Sequence, residues 1–280
     1  MCLRIIERTD NENRKESKTI KYLLQTEDNE FFEAVLLFED KLTLCVSSQI
    51  GCPIKCVFCR TGYGKFKRNL IFEEIVNQVK EIEKDINMKV DRVSYMGMGE
   101  PLLNFDNVVK SMRILKKNFY KLSTIGIPNK IRKLANLDIP LELYFSLHAS
   151  YQQKRRKLIP FSANHDLKKI LGELNEFQTK KGSLIIWYLL LNNINDSDED
   201  AEKLIETLKH LKGNFTVYLK QYCDTGLKFG RSKNNRIIKF KNILNKHNIP
   251  NKYSISEGQN INAGCGQLKQ MYLKNIEVKI

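Results

Sequence analysis

Three cysteines, Cys52, Cys56 and Cys59, lie within eight residues of this 280-residue chain and form the pattern CxxxCxxC. Three thiolates this close together on one loop can hold a compact soft-metal centre. Because a fourth cysteine at suitable spacing is missing from the sequence, one coordination position would stay open, and an open position indicates catalysis. The residues alone leave one alternative, a structural zinc site completed by a remote His or Cys.

Small and polar residues mark the ends of other predicted strands. Gly-Met-Gly-Glu at residues 97–100 ends the second strand; its glycines allow a backbone to approach a ligand closely, and Glu100 can accept hydrogen bonds from an ammonium group. Ser123 lies towards the end of the third strand, and Ser-Leu-His at residues 146–148 ends the fourth. Hydroxyls in such places often bind ribose or carboxylate groups, although a lone Ser or His is more often structural.

Alternating strands and helices must position these residues. Strands are predicted at residues 42–47, 90–96, 121–125, 141–147, 184–191 and 215–219, with helices at 71–82, 108–115, 129–135, 167–177, 201–211 and 237–244. This alternation predicts a parallel sheet, and about six units predict an α/β fold of the partial (βα)6 barrel type. Catalytic groups of such barrels lie on the loops after the strands, which is where the cysteine loop falls.

Three segments are predicted along the chain: a polar leader at residues 1–18, a β-hairpin extension at 19–41 and one large catalytic domain at 42–280.

The longest apolar runs, such as residues 184–191, are far shorter than the roughly 18 residues needed to span a bilayer, so no membrane association is expected. The polar N-terminus lacks the apolar core of a secretory signal, which indicates a cytoplasmic protein. In a reducing cytoplasm, seven cysteines favour ligand or reactive roles over structural disulfides.

The charge is strongly positive and unevenly distributed. The chain has 47 Lys and Arg against 32 Asp and Glu, a net charge of +15, which fits a polyanionic partner. A general enrichment in Lys, Asn and Ile is the alternative explanation. Residues 225–256, however, contain eight cations and no acid. That stretch and the Lys-Arg-Arg-Lys run at residues 154–157 are predicted to contact phosphates, with a solvated surface as the alternative.

Four ordered motifs resemble those of the radical S-adenosylmethionine (SAM) adenine-C2 RNA methyltransferases, the RlmN/Cfr family. They are Thr-Leu-Cys-Val-Ser-Ser-Gln-Ile-Gly-Cys at residues 43–52, Gly-Met-Gly-Glu-Pro-Leu-Leu-Asn at 97–104, Phe-Ser-Leu-His-Ala at 145–149 and Ala-Gly-Cys-Gly-Gln-Leu at 263–268. The similarity runs from about residue 33 to residue 268. It implies a 4Fe-4S cluster on Cys52, Cys56 and Cys59, with SAM chelating the fourth iron.

The resemblance also implies two reactive cysteines and two SAM molecules per turnover. Cys265 would take a methyl group from one SAM, and a radical derived from the second would activate that methyl group for addition to carbon 2 of adenine. Cys45 would then attack Cys265 and release the methylated RNA, leaving a transient disulfide. Glu33 occupies the place of a family carboxylate proposed as proton acceptor, at a spacing from Cys45 one residue shorter than the family's. Cys2 and Cys223 have no motif partner and are interpreted as incidental thiols.

SAM contacts carried over from the family fall on the strand ends already identified: Gly99, Glu100, Ser123, Ser146, Leu147 and His148. The sequence departs from the family at Tyr222, which stands where an Asn is usual, and at Asn260 and Asn262, which replace an acidic pair. The departure at Tyr222 affects one SAM or substrate contact of the family.

The resemblance implies rRNA or tRNA as substrate, a low-potential electron donor such as flavodoxin or ferredoxin, and a monomeric enzyme. Family members carry a helical RNA-binding domain before the β extension, and this sequence has almost nothing there, so the RNA is the least certain part. Two alternatives remain: a diverged radical SAM enzyme acting on another base position, and a noncatalytic metal-bearing RNA-binding protein. Retention of both Cys45 and Cys265 argues against the second, since binding alone needs neither.

Overall fold

The computed structural model describes residues 3–11, 18–182 and 184–268, which form two units by their contacts. The first unit contains the described residues up to 53, residues 59–122 and residues 257–268. The second contains residues 54–58 and the described part of 123–256. The cysteine loop therefore contributes to both units, since its middle is assigned to the second and its flanks to the first.

The first unit begins with four antiparallel strands: β1 (Arg4–Asp10), β2 (Thr19–Gln25), β3 (Phe31–Phe38) and β4 (Leu42–Cys45). They pair in chain order, β1 with β2, β2 with β3 and β3 with β4. The centre of β3 is buried from Phe32 to Leu36, which explains its nearly continuous apolar sequence. β2 and β3 form the hairpin that the sequence predicts.

Strand β1 differs from the sequence expectation, which placed these residues in a polar leader and predicted no strand there. Its backbone pairs with β2 in a register that sets Ile5 opposite Leu24 and Arg8 opposite Tyr22, with an irregularity between Ile5 and Glu7. Most of its side chains are exposed and polar, so it has no clear apolar alternation. The strand forms because β2 satisfies its backbone groups, and such pairing leaves little trace in the sequence.

The first unit continues with the elements that carry the candidate site. In chain order they are β5 (Gln49–Ile50), α1 (Arg60–Tyr63), β6 (Arg68–Asn69), α2 (Phe72–Ile86), β7 (Arg92–Tyr95), a 3₁₀ turn (Pro101–Asn104), α3 (Phe105–Leu115) and β8 (Tyr120–Thr124). β4 pairs with β7 and β7 with β8, both in parallel. Ile75, Val79 and Ile82 form the buried face of α2 at helical spacing, as predicted. The chain passes into the second unit within β8.

The second unit is an alternating α/β arrangement. Its elements are α4 (Lys130–Ala135), β9 (Leu141–Ser146), α5 (Gln152–Leu158), a 3₁₀ turn (Pro160–Asn164), α6 (Leu167–Lys181), β10 (Leu184–Leu190), α7 (Asp198–Leu208), β11 (Phe215–Gln221), α8 (Asn234–Lys246) and β12 (Asn251–Ser254). β9, β10, β11 and β12 pair in that order, all in parallel. β10 is buried along most of its length, as expected for a strand covered on both faces.

The last described segment, residues 257–268, returns to the first unit and contains a 3₁₀ turn (Gln259–Ile261). Asn260 Nδ2 donates to Asn11 Oδ1 at 2.7 Å, so this segment is fastened beside the first strands of the chain. A search of the described helices found none long and apolar enough to cross a membrane.

Candidate active site

A two-stranded ribbon closes the base of the cysteine loop. β5 pairs antiparallel with β6, with Gln49 opposite Asn69 and Ile50 opposite Arg68. Gly51 follows with a φ of +77°, and a Cβ there would lie 2.6 Å from the Lys65 carbonyl oxygen. Only glycine fits this position, because a side chain would collide with backbone in a conformation that L-residues rarely adopt. The loop therefore leaves the ribbon in a fixed direction just before Cys52.

The three cysteines of the loop are half-buried and form no disulfide. Burial raises the pKa of the Cys59 thiol. In the second unit, Val57 N donates to the Leu158 carbonyl at 3.1 Å, which anchors the backbone beside Cys56. Three soft thiol donors at this spacing fit an iron–sulfur cluster better than a hard cation. Within the described residues no three His, Cys, Asp or Glu side chains are already gathered as a metal group, so the assignment of Cys52, Cys56 and Cys59 stays a prediction from donor type and spacing.

Cys45 ends β4 in a dense environment. It lies opposite Val35 of β3 on one side and Ser94 of β7 on the other. The pKa of its thiol is raised to about 12, mainly by burial and also by the negative charge that Cys265 can carry, although hydrogen bonds from the Met96 backbone and Ser94 lower it. Cys45 is thus a protonated thiol at neutral pH, and it lies within electrostatic reach of Cys265.

Cys265 is exposed and lies in a turn that backbone hydrogen bonds hold. Arg60 N, at the start of α1, donates to the Gly266 carbonyl at 2.8 Å, and Thr61 Oγ1 donates to the Leu268 carbonyl at 2.7 Å. The helix that directly follows Cys59 therefore holds the loop that carries Cys265. A charge on Cys265 also contributes to the raised pKa of Cys59, so the first unit brings Cys45, Cys59 and Cys265 into one neighbourhood.

Glu33 lies on β3, two residues before Val35 and hence on the face that also presents Cys45. Its side chain is buried and forms an ion pair with Lys21 Nζ at 3.5 Å. The one-residue difference from the family falls between Glu33 and Cys45, where three residues connect β3 to β4; a change within that turn leaves the strand face unchanged. Its assignment as proton acceptor stays a prediction. The acid whose charge acts on the pKa of Cys45 is Glu39.

The glycine-rich loop after β7 is held by the segment that precedes Cys52. Ser48 N and Gln49 N both donate to the Met98 carbonyl, at 2.9 and 3.2 Å, and Met98 N donates to Ser47 Oγ at 2.8 Å. Gly99 adopts a φ of +102°. Glu100 is buried, and its Oε1 accepts from Leu102 N at 2.9 Å, which caps the following 3₁₀ turn. The carboxylate predicted to meet the SAM amino group is therefore in a defined orientation.

The predicted SAM contacts of the second unit also lie together. The hydroxyls of Ser123 and Ser146 are 2.9 Å apart. His148 Nδ1 accepts from Leu189 N at 3.1 Å, and its ring packs edge-on against Phe58 with centroids 5.2 Å apart. Burial and the nearby Arg155 charge lower the pKa of His148 to about 3, so the ring is neutral.

Leu147 N donates to the Trp187 carbonyl at 3.0 Å, and the Leu147 side chain is fully buried. Leu147 and His148 thereby fix the end of β9 against β10. No ligand tests the SAM contacts assigned to Ser123, Ser146, Leu147 and His148, and they stay predictions.

The prediction that the run at residues 154–157 contacts phosphate is wrong for Arg155. This guanidinium is fully buried and donates to the carbonyls of Ile125, Ser146 and Leu147 at 2.5, 3.1 and 3.2 Å. Arg155 and Leu158 are the buried residues of α5, three positions apart on its inner face, so the cation serves the strand ends and not the solvent. Lys154 is also engaged, in an ion pair with Asp200 at 2.5 Å.

The acid-free stretch at residues 225–256 presents most of its cations to solvent. Arg236 and Lys239 pair with Asp198 of α7. Five further cations are exposed: Lys228, Arg231, Lys233, Lys246 and Lys252. The surface formed by these residues is therefore positively charged, as the sequence predicts.

Tyr222 and Cys223, which precede that stretch, are buried. The Tyr222 hydroxyl shares a hydrogen bond with Thr225 Oγ1, so the residue that replaces the family Asn is committed to its own turn. The burial of Cys223 agrees with its interpretation as an incidental thiol, whereas Cys2 lies outside the described residues.

Gln49 and Asn69, which the sequence motifs did not single out, join the cysteine loop to the glycine-rich loop. Gln49 Nε2 donates to Asn69 Oδ1 and Gln49 Oε1 accepts from Glu100 N, both at 2.8 Å. In the sequence, Gln49 is only a polar residue close to the cysteines. Its residue type does not reveal its hydrogen-bond partners.

Comparison with known proteins gives consistent results. Residues 46–208 match the family described as the radical SAM superfamily. A protein from Fervidobacterium nodosum, described as a probable dual-specificity RNA methyltransferase RlmN, is 41% identical over 271 residues, covering 92% of this chain and 78% of the relative. A protein of the same description from Pseudothermotoga lettingae is 43% identical over 262 residues, covering 90% and 76%.

The crystal structure of a radical SAM methyltransferase from Sphaerobacter thermophilus matches with a TM-score of 0.89 at 32% identity, covering 95% of this chain and 81% of that one. The predicted fold class, α/β with a radical SAM core, is thereby confirmed.

Proposed function

Since the chain belongs to the radical SAM superfamily and, within it, to the RlmN-type RNA methyltransferases, we propose that it methylates carbon 2 of an adenosine in rRNA, tRNA or both. The observation that carries the proposal is the placement of Cys45 and Cys265 within electrostatic reach of each other. A methyl transfer that uses one cysteine as carrier and another to release it requires such a pair.

Cys52, Cys56 and Cys59 would hold the 4Fe-4S cluster, and Gly99, Glu100, Ser123, Ser146, Leu147 and His148 would hold SAM. When bound there, the cluster and SAM supply a 5′-deoxyadenosyl radical on reduction. Glu100 would accept hydrogen bonds from the SAM amino group, and the Ser123 and Ser146 hydroxyls would bind polar groups of the same molecule. The neutral state of His148 leaves the ring able to donate from Nε2, since Nδ1 accepts from Leu189 N.

Cys265 would act first, as the methyl acceptor. Its exposed position suits displacement, in which the thiolate attacks the methyl carbon of one SAM and S-adenosylhomocysteine leaves. Loss of a hydrogen atom from this S-methyl group to the radical gives a methylene radical on Cys265. Carbon 2 of adenine lies between two ring nitrogens and is electron-poor, so it accepts the methylene carbon and the RNA is cross-linked to the protein. Two SAM molecules are consumed per product.

Cys45 would resolve the cross-link. The Cys45 thiol attacks the Cys265 sulfur, an S–S bond forms as the S–CH₂ bond breaks, and the proton that Cys45 gives up passes to the released carbon, which becomes the methyl group. The hydrogen at carbon 2 leaves as a proton to Glu33, and the surplus electron leaves through the electron-transfer partner. Glu33 is held in place by its ion pair with Lys21 Nζ at 3.5 Å. The disulfide must then be reduced before another turnover.

The partner surface proposed for RNA is the set of exposed cations at residues 225–256. These cations are exposed, and residues 225–256 contain no Asp or Glu. The positive charge of this surface complements the negative charge of RNA phosphates, which supports the proposal. A low-potential donor such as flavodoxin or ferredoxin, a monomeric state and a cytoplasmic location complete the proposal. The need for reducing equivalents at the cluster and at the disulfide supports both the donor and the compartment.

Nucleoside mass spectrometry of rRNA and tRNA from cells with and without the protein tests the reaction. Loss of 2-methyladenosine from one or both pools is expected when the protein is absent. Unchanged 2-methyladenosine with loss of a different modified base would show that the protein is a radical SAM enzyme of another specificity.

Reconstitution of the purified protein tests the cluster. Under anaerobic conditions it should give about four irons per chain; stoichiometric zinc without iron would overturn the cluster assignment.

The RNA surface has a separate test. Lys233→Glu and Lys246→Glu should each weaken RNA binding. Each should also reduce the slope of log affinity against log salt concentration by about one, the amount expected for one lost phosphate contact. Lys209→Glu is the matched control, since this lysine is exposed in the same unit but outside the acid-free stretch. Equal weakening by all three variants would indicate a general charge effect and no specific surface.

A further inference from the structure

Gln49 connects the base of the cysteine loop with the glycine-rich loop after β7. Its Oε1 accepts from Glu100 N and its Nε2 donates to Asn69 Oδ1, both at 2.8 Å. Gln49 is 1% exposed and Glu100 is 3% exposed. A buried amide whose two ends meet partners of opposite polarity has one satisfied orientation, and reversing it would set like atoms against each other. The side chain is therefore a rigid link.

Packing reinforces this link on the side of the glycine-rich loop. Gly99 lies against the stem of Gln49 so closely that an added Cβ would be 2.6 Å from Gln49 Cβ. Gln49 N also donates to the Met98 carbonyl at 3.2 Å. Side chain and backbone of Gln49 thus hold the same short loop, and the loop cannot move independently of the ribbon.

The link controls the position of Glu100. The backbone N–H of Glu100 is fixed by Gln49, and its carboxylate is turned towards Leu102 N at 2.9 Å. On the opposite side of Gln49, Asn69 belongs to β6, which closes the loop that bears Cys52 and Cys59. Among these bonds between the ribbon and the glycine-rich loop, the Gln49 amide is therefore the one that reaches Glu100 itself.

We propose that Gln49, oriented by Asn69, is the positioning residue that sets where Glu100 meets the amino group of SAM. This inference rests on the proposed function, in which Glu100 is that contact. Loss of the amide leaves the Glu100 N–H without its acceptor and lets Glu100 shift, although the backbone bonds to the Met98 carbonyl remain. SAM binding weakens, while the three thiols and their loop remain.

Gln49→Met tests the inference, because methionine has similar length and packing but cannot replace the two hydrogen bonds. The variant is reconstituted anaerobically, its iron is counted, and SAM affinity is measured by calorimetry together with the electron paramagnetic resonance spectrum of the reduced cluster with and without SAM. We expect wild-type iron content, a SAM Kd raised about tenfold or more, and a smaller SAM-induced spectral change.

Asn69→Leu should give a smaller increase in the SAM Kd than Gln49→Met. The double variant should be no weaker than Gln49→Met, since both residues act in one series of bonds.

Tyr120→Phe is the matched control. Its hydroxyl is buried in the same unit and also makes two hydrogen bonds, from Lys117 N at 2.8 Å and to the Met112 carbonyl at 2.7 Å, neither of which involves the glycine-rich loop. It should lower the unfolding temperature without changing the SAM Kd.

Three results would overturn the inference: wild-type SAM affinity in Gln49→Met, equal losses of affinity in Gln49→Met and Tyr120→Phe, or loss of iron in Gln49→Met. Failure of the iron-loaded wild type to bind SAM would instead overturn the proposed function, and with it this inference.

Discussion

The two cysteines of the proposed methyl transfer lie in opposite surroundings. Cys45 ends a strand between two neighbouring strands, and burial raises its pKa to about 12. Cys265 is exposed in a turn that backbone bonds from α1 hold. The exposed thiol of Cys265 is accessible to a methyl donor, whereas the half-buried thiol of Cys45 is kept protonated. These surroundings fit the proposed roles of carrier and releasing group.

Cys265→Ala gives the largest expected effect. Without a carrier thiol, methylation should fall below detection, and no RNA adduct should form under any condition. Intact-protein mass spectrometry should find a methyl group on the wild type and none on the variant. Cys223→Ala serves as control, because it removes a buried thiol with no assigned role and should leave methylation in place. Product formation by Cys265→Ala would eliminate the carrier role.

Cys45→Ala should stop turnover at a later point. The methyl group still reaches Cys265 and adds to RNA, but the cross-link is not released, so a covalent protein–RNA adduct accumulates. Denaturing gel electrophoresis with labelled RNA measures it. If no adduct forms on an RNA that the wild type methylates, the two cysteines do not differ in the way their surroundings indicate.

Alkylation rates measure the contrast directly in the iron-loaded protein. At pH 7 a thiol with a pKa of about 12 is almost wholly protonated, so Cys45 should react with a maleimide at least ~100-fold more slowly than Cys265. Because the thiolate fraction grows as pH rises towards the pKa, the rate at Cys45 should increase about tenfold per pH unit. Peptide mass spectrometry assigns the label. Equal rates at the two sites would remove the distinction between them.

Ser94→Ala sharpens the comparison through a smaller effect. The Ser94 hydroxyl lowers the pKa of Cys45, so its removal should raise that pKa further and slow release of the adduct about threefold. Quenched-flow measurement of adduct decay would detect the change. Ser111→Ala, which removes a buried hydroxyl of α3, should leave adduct decay unchanged. A faster decay in Ser94→Ala would contradict the direction of this electrostatic effect.

The parts of the fold that the sequence predicts are those with strong apolar patterns. β3, β10 and the buried face of α2 follow their periodicity because burial decides their structure. β1 and β12 were not predicted as strands. Polar residues such as Arg8 and Lys252 give no alternation there, and the strands form because a neighbouring strand pairs with their backbone.

The candidate site shows the same limit. Motif spacing located the cysteines and the glycine-rich loop, but a run of cations at residues 154–157 suggested a surface where the structure buries Arg155. Its partners are the carbonyls of Ile125, Ser146 and Leu147, and backbone acceptors leave no mark on residue type. Gln49 was missed for a related reason, since its partners come from segments that only tertiary structure brings together.

The contact between residues 257–268 and the first strands of the chain also has a consequence for the order in which the protein folds. Asn260 is bonded to Asn11, and the carrier thiol follows a few residues later. N-terminal parts of a protein can fold while the rest is still being synthesised, and contacts between distant segments form late. The proposed cluster ligands at residues 52–59 are therefore synthesised long before the proposed acceptor thiol, Cys265. A chain whose synthesis stops between them would lack the thiol that the proposal assigns to carry the methyl group.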